Sequence, residues 1–566
     1  MLFFETGLAL FILLIAFVRP TFGSKWFAVM GRRGTRLARR RNLVILAIGL
    51  LPIVIRLILL AKIPFPVPTV NDEFSYLLAA DTFAHGRLTN PTHPMWVHFE
   101  TIHVLQQPTY ASMYFPAQGM FLALGQVLFG HPYYGVLISV GLMCGAICWM
   151  LYGWVPARWA LLGGLLAVMR FGIWGYWASS FFGGAPAAAG GALVLGALPR
   201  IIRRHHLRDA LILGIGLALL ANSRPYEGFV YSLPFAGVML VWMLRKNRPP
   251  VNVLARRIIL PLTFVLVLTG AGMGYYFYRV TGSPFAVPEE LNFETYHFDR
   301  LFFWQSEGHP QLYRHPDLRS YYEGWEREFQ EVKKIGIIGQ SIIKIVKMWF
   351  FFLGPILTIP LLAWAAIAPS NVHWSHLTPR LRFLFLVTPV FILGICLEVY
   401  FYPHYAAPLT GVILLIVLEA MRYVRLWRWR NKPTGFFLVR AVPSACFAML
   451  FLPVISAPRT FPPPPRLFES WCCGGPYFHA RVNLEKRLEN MKGRHLVIVH
   501  YGREKMGGYE WVYNAPDIDR SKVVWARDMG QSQNRELIDY YKDRKVWLLE
   551  VGSTSSDLIP YPGYGP

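Results

Sequence analysis

Charged residues are scarce in this sequence: Asp, Glu, Lys and Arg together make up 16% of its 566 residues. Hydrophobic residues make up 54% and aromatic residues 15%, and the mean hydropathy is +0.36. The apolar residues stand in long blocks. Because soluble domains average about 25% charged residues, this composition excludes an ordinary soluble enzyme.

Cysteine is also rare, and its placement excludes several kinds of site. The six cysteines do not have the spacing of metal ligands. Cys144 and Cys148 stand four apart in an apolar run, which favours a packing role. Cys472 and Cys473 are adjacent. A disulfide between such neighbours would be strained, so free or intermolecular thiols stay open.

Apolar runs of membrane-spanning length recur through the first 456 residues. A helix needs about 20 apolar residues to cross the hydrocarbon of a bilayer. The sequence therefore predicts a mainly α-helical, polytopic membrane protein. About twelve spanning helices are expected, at 2–18, 42–61, 132–152, 159–176, 180–199, 209–223, 229–244, 258–279, 342–367, 382–400, 405–421 and 434–456.

The net charge of +24 follows this predicted topology. Lys and Arg cluster in four stretches on one side, with eight in 19–41, four in 200–208, five in 245–257 and five in 422–432. The opposite loops, 62–116 and 281–340, hold two and six basic residues against four and ten acidic ones. Cytoplasmic loops carry the excess of Lys and Arg. The charge therefore indicates topology and not nucleic-acid binding, and both termini are expected outside the cytoplasm.

The chain divides into three predicted parts. Residues 1–457 form the membrane domain, with a first external loop at 62–131 and a long external loop at 281–340. Residues 458–470 are rich in proline and are expected to form a stiff linker. Residues 471–566 read as a small extracytoplasmic α/β domain.

The strands of that last domain are expected at 494–501, 521–528 and 545–551, with a helix at 534–543. The region has no Gly-rich phosphate loop, no G-x-S-x-G motif and no metal-ligand spacing. We therefore assign it no catalysis and expect a packing or substrate-presenting module.

Asp72 and Glu73 stand side by side in the first loop, at the start of a stretch that ends at Gly86. That stretch is too short and too polar to span a membrane, and it fits a helix lying at the interface. A second stretch of this kind, 116–130, precedes the third spanning segment. Two interfacial helices in one loop predict a platform at the membrane surface.

Four motifs occur in an order that resembles a known group of enzymes. They are "NDEFSYLLAADTFAHGRL" (71–88), "YFPAQGMFLALGQVLFG" (114–130), "NSRPYEG" (222–228) and "YPHYAAPLTG" (402–411). The set is similar to the GT-C superfamily of polytopic glycosyltransferases, which includes the protein O-mannosyltransferases and the aminoarabinose transferase of lipid A. The chain departs from that pattern in an extra first helix and in an Asp-Glu pair instead of a spaced Asp-x-Asp. The second departure leaves a divalent metal cofactor open.

The resemblance implies transfer of a hexosyl or pentosyl group from a polyprenyl-phosphate donor to an acceptor glycan, lipid or protein on the external face. It makes Asp72 the general base that takes the acceptor's proton. The alternative role for Asp72 is to cap the helix that it begins. Glu73 would orient the acceptor, share a metal with Asp72, or serve as a first-turn helix residue.

Six further residues are candidates for binding substrate. Glu100 and His103 lie three apart, so one helical turn would place both on one face. Arg224 and Glu227 stand at the outer end of a spanning segment, as a structural pair or with Arg224 on the donor phosphate. By resemblance, His404 and Tyr405 would face that phosphate, and the alternative is an interfacial aromatic anchor.

Two other classes of function compete with the transferase. One is a transporter or flippase, which usually shows two matching halves, and no such repeat is found. The other is a ligase or polymerase of the O-antigen type, which leaves the acidic pair unexplained. Convergence of Asp72, Glu100, Arg224 and His404 in one cavity would favour the transferase. The expected location is a bacterial inner membrane, with membrane lipid as a partner.

Overall fold

The computed structural model describes residues 2–246, 248–308, 311–367, 378–453, 479–502, 510–551 and 556–563. The protein is mainly helical, as the sequence predicts, and contains two small sheets. The Pro-rich linker at 458–470 and the Cys472–Cys473 pair lie outside the described residues.

Most helices come from the apolar runs of the sequence, and each predicted run contains one. The longer helices before residue 450 are Leu2–Val18, Ser24–Ala38, Arg41–Leu59, Asn71–Ala84, Pro116–Phe129, Tyr133–Trp154, Ala157–Ala167, Gly184–Arg204, Leu207–Ser223, Pro225–Leu244, Leu260–Thr281, Pro288–Tyr296, Pro316–Met348, Gly354–Ile367, Pro379–Cys396, Thr410–Val424 and Thr434–Met449. Short helices occupy Tyr176–Ser179 and Val251–Leu254, and π-helical turns occupy Val168–Gly172, Ala255–Ile259 and Trp349–Leu353.

Within the described residues, eight helical segments are long and apolar enough to cross a membrane. The expected count of about twelve is therefore not confirmed. Four of the predicted runs contain helices of fewer than 18 residues, namely Leu2–Val18, Ala157–Ala167, Leu207–Ser223 and Thr434–Met449. Ala157–Ala167 passes into a π-helical turn. The helix Pro316–Met348 begins within the long loop, well before the start of the predicted span at 342–367. It is kinked at Gly336, whose φ is 73°.

A buried ion pair ties the extra first helix to the rest of the membrane domain. Arg170 Nη1 donates to Glu5 Oε1 at 3.0 Å, and the side chains of both residues are 4% exposed. Arg170 also donates to the carbonyl oxygens of Phe350 and Phe351. Charges at membrane depth are costly unless they are paired, so this pair fixes Leu2–Val18 in place.

The first loop contains the two predicted helices, Asn71–Ala84 and Pro116–Phe129. They pack closely, because a Cβ added at Gly119 would lie 2.8 Å from the Cβ of Ala79. Between them, three short antiparallel strands lie in the spatial order Asn90–Pro91, Thr109–Ser112, Val104–Leu105. The position of these helices at a membrane surface stays a prediction.

The C-terminal residues form a small α/β unit, as predicted. Its strands lie in the order Val523–Arg527, Arg494–Tyr501, Arg544–Val551, Ser556–Pro560, and the first three are parallel. The helices are His479–Asn490 and Gln531–Tyr540. The first of these helices and the antiparallel edge strand were not expected from the sequence.

The C-terminal unit shares a hydrophobic core with the first loop. The first loop contributes Leu78, Phe99, Val104 and Tyr110, and the C-terminal unit contributes Leu496, Ile498, Ile518, Val524, Ala526, Leu537, Ile538, Tyr541 and Val546. Burial of apolar side chains is worth about 25 cal/mol per Å². The C-terminal unit is therefore docked firmly on the loop that carries the candidate site.

Candidate active site

Asp72 and His103 form a close pair in the first loop. Asp72 lies in the first turn of the helix Asn71–Ala84, and its Oδ1 is 2.5 Å from His103 Nδ1. The hydroxyl of Tyr114 is 3.1 Å from the same ring nitrogen. The Asp72 side chain is 29% exposed and that of His103 is 10% exposed, so the carboxylate stays accessible while its partner is held inside.

The surroundings of Asp72 keep it ionised. Burial acts to raise the pKa of the carboxyl, but attraction to His103 and hydrogen bonds from His103 and Tyr114 together outweigh it. The more distant Arg224 acts in the same direction. The pKa of Asp72 is therefore below its ordinary value, and the side chain can accept a proton at neutral pH.

His103 has an unusual backbone conformation that aims its ring at Asp72. Its φ is 61°, in the left-handed region that non-glycine residues seldom adopt. The carbonyl of His103 accepts hydrogen bonds from Ser75 Oγ at 2.6 Å and from the Met113 amide at 3.3 Å. Strained conformations of this kind persist only where the surroundings impose them.

Glu73 points into the protein rather than beside Asp72. Its Oε2 accepts from the backbone and hydroxyl of Thr69 and from the Val70 amide, and its Oε1 accepts from the Phe181 amide at 3.0 Å. Burial raises the pKa of Glu73 although these hydrogen bonds lower it. Of the roles expected for Glu73, this arrangement matches the first-turn helix residue.

A cavity of about 80 Å³ is joined to the Asp72–His103 pair through Tyr114, whereas Asp72 and His103 are not among its lining residues. It brings together three of the predicted site residues, Arg224, Glu227 and Tyr405. Tyr114, which contacts His103, belongs to the same wall. The other lining residues are Tyr76, Phe115, Ser223, Pro225, Tyr226, Glu289, Leu301, Phe302, Glu398 and Tyr400.

Arg224 is the cationic group of this cavity. Its Nη1 is 3.5 Å from Glu227 Oε1, and its guanidinium carbon lies 4.1 Å from the ring centre of Tyr405. Burial acts to lower the pKa of Arg224, but the charge of Glu227 and weaker neighbouring groups raise it above its ordinary value. The guanidinium therefore remains charged, with an aromatic ring stacked on one face.

Two further carboxyl groups, Glu289 and Glu398, line the cavity. Burial raises the pKa of Glu289 to about 7, against the opposing effect of Arg224. Burial also raises the pKa of Glu398 well above its ordinary value. Glu289 and Glu290 begin the helix Pro288–Tyr296, where acidic residues are common. No sequence signal therefore distinguishes Glu289 from its neighbour.

A second His–Asp pair stands behind His103. The rings of His297 and His103 are nearly parallel, with centres 6.4 Å apart. His297 Nδ1 lies 2.8 Å from Asp299 Oδ1, and Tyr400 donates to Asp299 Oδ2 at 2.7 Å. Tyr400 lines the cavity, so this chain of polar groups connects the cavity wall to the ring packed against His103.

Glu100 does not join His103 on one helical face. The turn Trp96–Phe99 is a short 3-10 helix that ends before Glu100, which has extended geometry (φ −53°, ψ 129°). Its carboxylate instead contacts Tyr296, Arg314 and His315 at 2.9 to 3.2 Å. The structure therefore places Glu100 at the junction with the long loop and not at the cavity.

His404 lies behind the cavity wall. It is 4% exposed, and its Nδ1 is 2.8 Å from the hydroxyl of Tyr176. Burial, assisted by the charge of Arg224, lowers the pKa of His404 well below its ordinary value. The neutral ring packs against Tyr405, with ring centres 5.0 Å apart, and so supports the residue that stacks on Arg224.

A metal site does not emerge from the described residues: they contain no group of three or more His, Cys, Asp or Glu side chains that could hold an ion. The shared metal ligation expected as one role for Glu73 finds no support in the placement of its oxygens, which face backbone amides.

Comparison with known proteins gave similarity in structure but not in sequence. No protein-family model matches the chain, and no curated protein matches it. ArnT from Cupriavidus metallidurans is 13% identical, with a TM-score of 0.48 over 93% of this chain and 94% of that one. The Archaeoglobus fulgidus oligosaccharyltransferase, in complex with Zn and sulfate, is 13% identical, with a TM-score of 0.46 over 90% of this chain and 67% of that one. Both neighbours are membrane glycosyltransferases of the GT-C superfamily.

Proposed function

We propose that this protein is a membrane glycosyltransferase that moves a sugar from a polyprenyl-phosphate donor to an acceptor on the extracytoplasmic face. The observation that carries the proposal is the Asp72–His103 pair, 2.5 Å apart, which Tyr114 links to a cavity lined by Arg224. The ionised carboxylate of Asp72 and the guanidinium of Arg224, which is 19% exposed on the cavity wall, supply the two charges that a displacement at a sugar phosphate needs.

Asp72 acts as the general base in this proposal. The acceptor's hydroxyl or amine attacks C1 of the sugar, and its proton passes to the Asp72 carboxylate as the new bond forms. The bond from C1 to the phosphate oxygen breaks, and polyprenyl phosphate leaves with the electron pair. A single displacement of this kind inverts the anomeric centre. His103 keeps the carboxylate oriented and ionised.

Arg224 binds the donor phosphate and its developing charge. A guanidinium carries five N–H donors, so its contact with Glu227 leaves donors for phosphate oxygens. Charge-assisted hydrogen bonds from Arg to phosphate are about twice as strong as neutral ones. Tyr405 holds the plane of the guanidinium, and His404 supports Tyr405. These roles require no metal ion.

The membrane domain supplies the setting for such a donor. The eight apolar helical segments suit a multi-pass protein in a bacterial inner membrane, where the polyprenyl chain remains in lipid. A donor that is already activated by phosphate requires no nucleotide-binding fold. Acceptors of three classes fit the chemistry, namely a glycan, a lipid or a protein.

The experiment that tests the proposal is transfer from a panel of radiolabelled polyprenyl-phosphate hexoses and pentoses. Purified wild-type protein is compared with Asp72→Asn, which keeps the shape of the side chain and removes the base. We expect transfer by the wild type and a loss of about 10²–10⁴-fold in the variant. Asp81→Asn, in the same helix, is the matched control and should retain activity.

Two outcomes contradict the proposal at different levels. Full activity of a folded Asp72→Asn protein would remove Asp72 as the base and leave it as a helix-capping residue. Absence of transfer from every donor would contradict the transferase itself, and flux of the same donors across liposomes would then test the transporter alternative.

A further inference from the structure

A buried arginine of the C-terminal unit joins three parts of the chain. Arg527 ends the strand Val523–Arg527, and its side chain is 1% exposed. Its guanidinium donates to Glu510 Oε2 at 2.6 Å and to the carboxylate of Asp317. Its Nε donates to the backbone carbonyl of Glu100 at 2.5 Å. The C-terminal unit, the helix Pro316–Met348 and the first loop therefore meet at one side chain.

Glu100 is held on its other side by the long loop. Its Oε1 accepts from the Tyr296 hydroxyl at 2.9 Å and from Arg314 at 3.2 Å, and its Oε2 is 3.2 Å from His315 Nε2. These contacts fix the side chain of Glu100, and the hydrogen bond from Arg527 to its carbonyl fixes its backbone. Such a residue cannot shift without breaking several buried polar contacts.

The fixed backbone leads directly to the candidate catalytic pair. His103 follows Glu100 by three residues and has the strained φ of 61°. Its pairing distance of 2.5 Å to Asp72 leaves little tolerance for displacement. A misplacement of about 1 Å can cost on the order of 10²-fold in rate. The backbone at Glu100 is therefore one anchor of His103, in addition to the hydrogen bonds that the His103 carbonyl accepts from Ser75 and Met113.

We propose that Arg527 is a positioning residue: by holding the backbone of Glu100 it keeps His103 against Asp72, so that the C-terminal unit sets the geometry of the candidate base. This inference rests on the function proposed above. It assigns the C-terminal unit a role in transfer without giving it any catalytic residue.

Other polar contacts also join the unit to the first loop, including one from the His98 ring to the backbone carbonyl of Arg527. Arg87 and Asp517 form an ion pair at 2.8 Å, with side chains 31% and 41% exposed. Exposed pairs contribute about 0–1 kcal/mol. Tyr110, seven residues after His103, donates to the carbonyl of Asn514 at 2.8 Å. These contacts dock the unit, whereas Arg527 contacts the segment that leads to His103.

The first test does not depend on transfer activity. Full-length wild type, Arg527→Gln and Arg535→Gln are treated with diethylpyrocarbonate, and modification of His103 is followed by mass spectrometry of its peptide. Arg535 is exposed on the helix Gln531–Tyr540, so Arg535→Gln is the matched loss of one charge. We expect His103 to react at least about threefold faster in Arg527→Gln only, because a loosened segment opens more often. An unchanged rate would overturn the proposal.

The second test separates positioning from general stability. Arg527→Gln should lower kcat by about 10-fold or more with little change in KM. In an Asp72→Asn background the same change should cost nothing further, because residues that act as one unit are not additive. A loss that multiplies with that of Asp72→Asn would overturn the proposal.

A conservative variant tests whether a loss comes from misfolding, and the reactivity of His103 separates this proposal from the proposed function. Arg527→Lys keeps a positive charge between Glu510 and Asp317 but lacks the guanidinium fork, so it should fold and show the same changes in smaller degree. If the wild type transfers no sugar, the proposed function fails while the reactivity of His103 still decides the role of Arg527.

Discussion

The carboxylate of Asp72 and the ring of His103 meet at 2.5 Å, although they come from a helix and from a strained turn of the same loop. His103 supplies both the attraction and a hydrogen bond that keep the pKa of Asp72 low. The accessible member of the pair is the carboxylate, and the buried member is the imidazole. In this arrangement the buried imidazole keeps Asp72 ionised, while the exposed part of the carboxylate can accept a proton.

Replacing His103 should shift the acid limb of the pH profile of kcat/KM to higher pH. His103→Ala removes the largest influence that lowers the pKa of Asp72, so that pKa rises and the carboxylate is protonated at higher pH. We expect kcat/KM to fall by about 10-fold or more at neutral pH. As the pH is lowered, the variant should also lose activity earlier than the wild type does.

The measurement is the pH profile of kcat/KM. His85→Ala is the control, because His85 contacts Asp81 on an exposed part of the same loop. An acid limb that stays in place in His103→Ala would show that the pair does not govern the ionisation of Asp72.

Glu73 should matter for stability more than for turnover. Glu73→Gln keeps one oxygen acceptor but turns an amide donor toward backbone N–H groups of Val70 or Phe181. A buried donor or acceptor without a partner costs about 1–3 kcal/mol. We expect a lower Tm in detergent and a kcat within about threefold of the wild type. A normal Tm together with a large loss of kcat would instead make Glu73 part of the chemistry.

Much of the fold could be predicted because it depends on local patterns. Every predicted apolar run contains a helix, and the three parallel strands of the C-terminal unit lie where alternation and β-branched residues indicate them. The helix Ser24–Ala38 was not predicted. Its basic residues were interpreted as a signal of topology, and the apolar residues among them, such as Trp26 and Met30, do not form a continuous apolar run. The docking of the C-terminal unit on the first loop is a contact between distant segments, which no local pattern encodes.

The candidate site was predictable only in part for the same reason. Asp72 and Arg224 stand out as charges beside apolar runs. Of the four residues whose convergence in one cavity would favour the transferase, only Arg224 lines the cavity, and Asp72 is linked to it through Tyr114. Glu289 and His297 stand in the polar long loop, where a charge or an imidazole is ordinary. Their importance comes from tertiary burial. The spacing of Glu100 and His103 suggested a shared helical face, but the backbone leaves the helix at Phe99.

Arg224 should control binding of the donor. Arg224→Lys keeps the charge but loses the planar fork and the stacking on Tyr405. We expect the KM for donor to rise by about 10-fold or more, with a smaller change in kcat. Steady-state kinetics with varied donor measures this, and Arg279→Lys is the control because Arg279 lies over Tyr275 on an exposed surface. Equal KM values in the two variants would place the phosphate elsewhere.

Glu289 should give donor binding a pH dependence near neutrality. Its pKa is raised from 4.5 to about 7, so the carboxyl is neutral below that pH and negative above it. A negative Glu289 competes with the donor phosphate for Arg224, so the KM for donor should rise as the pH increases through 7. The same shift stabilises the folded protein at low pH, and this contribution is lost as the pH rises from 4.5 through about 7.

Glu289→Gln stays neutral throughout, so its KM for donor should stay nearly constant from pH 6 to pH 8.5, a range of about one to two units on either side of the transition. Its Tm should also fall less than that of the wild type over the same range. Glu290→Gln is the matched control, because Glu290 is the exposed neighbour in the same helix and should behave as the wild type does. A wild-type KM that is flat across pH 7, or one whose rise persists in Glu289→Gln, would show that a different group titrates at the cavity.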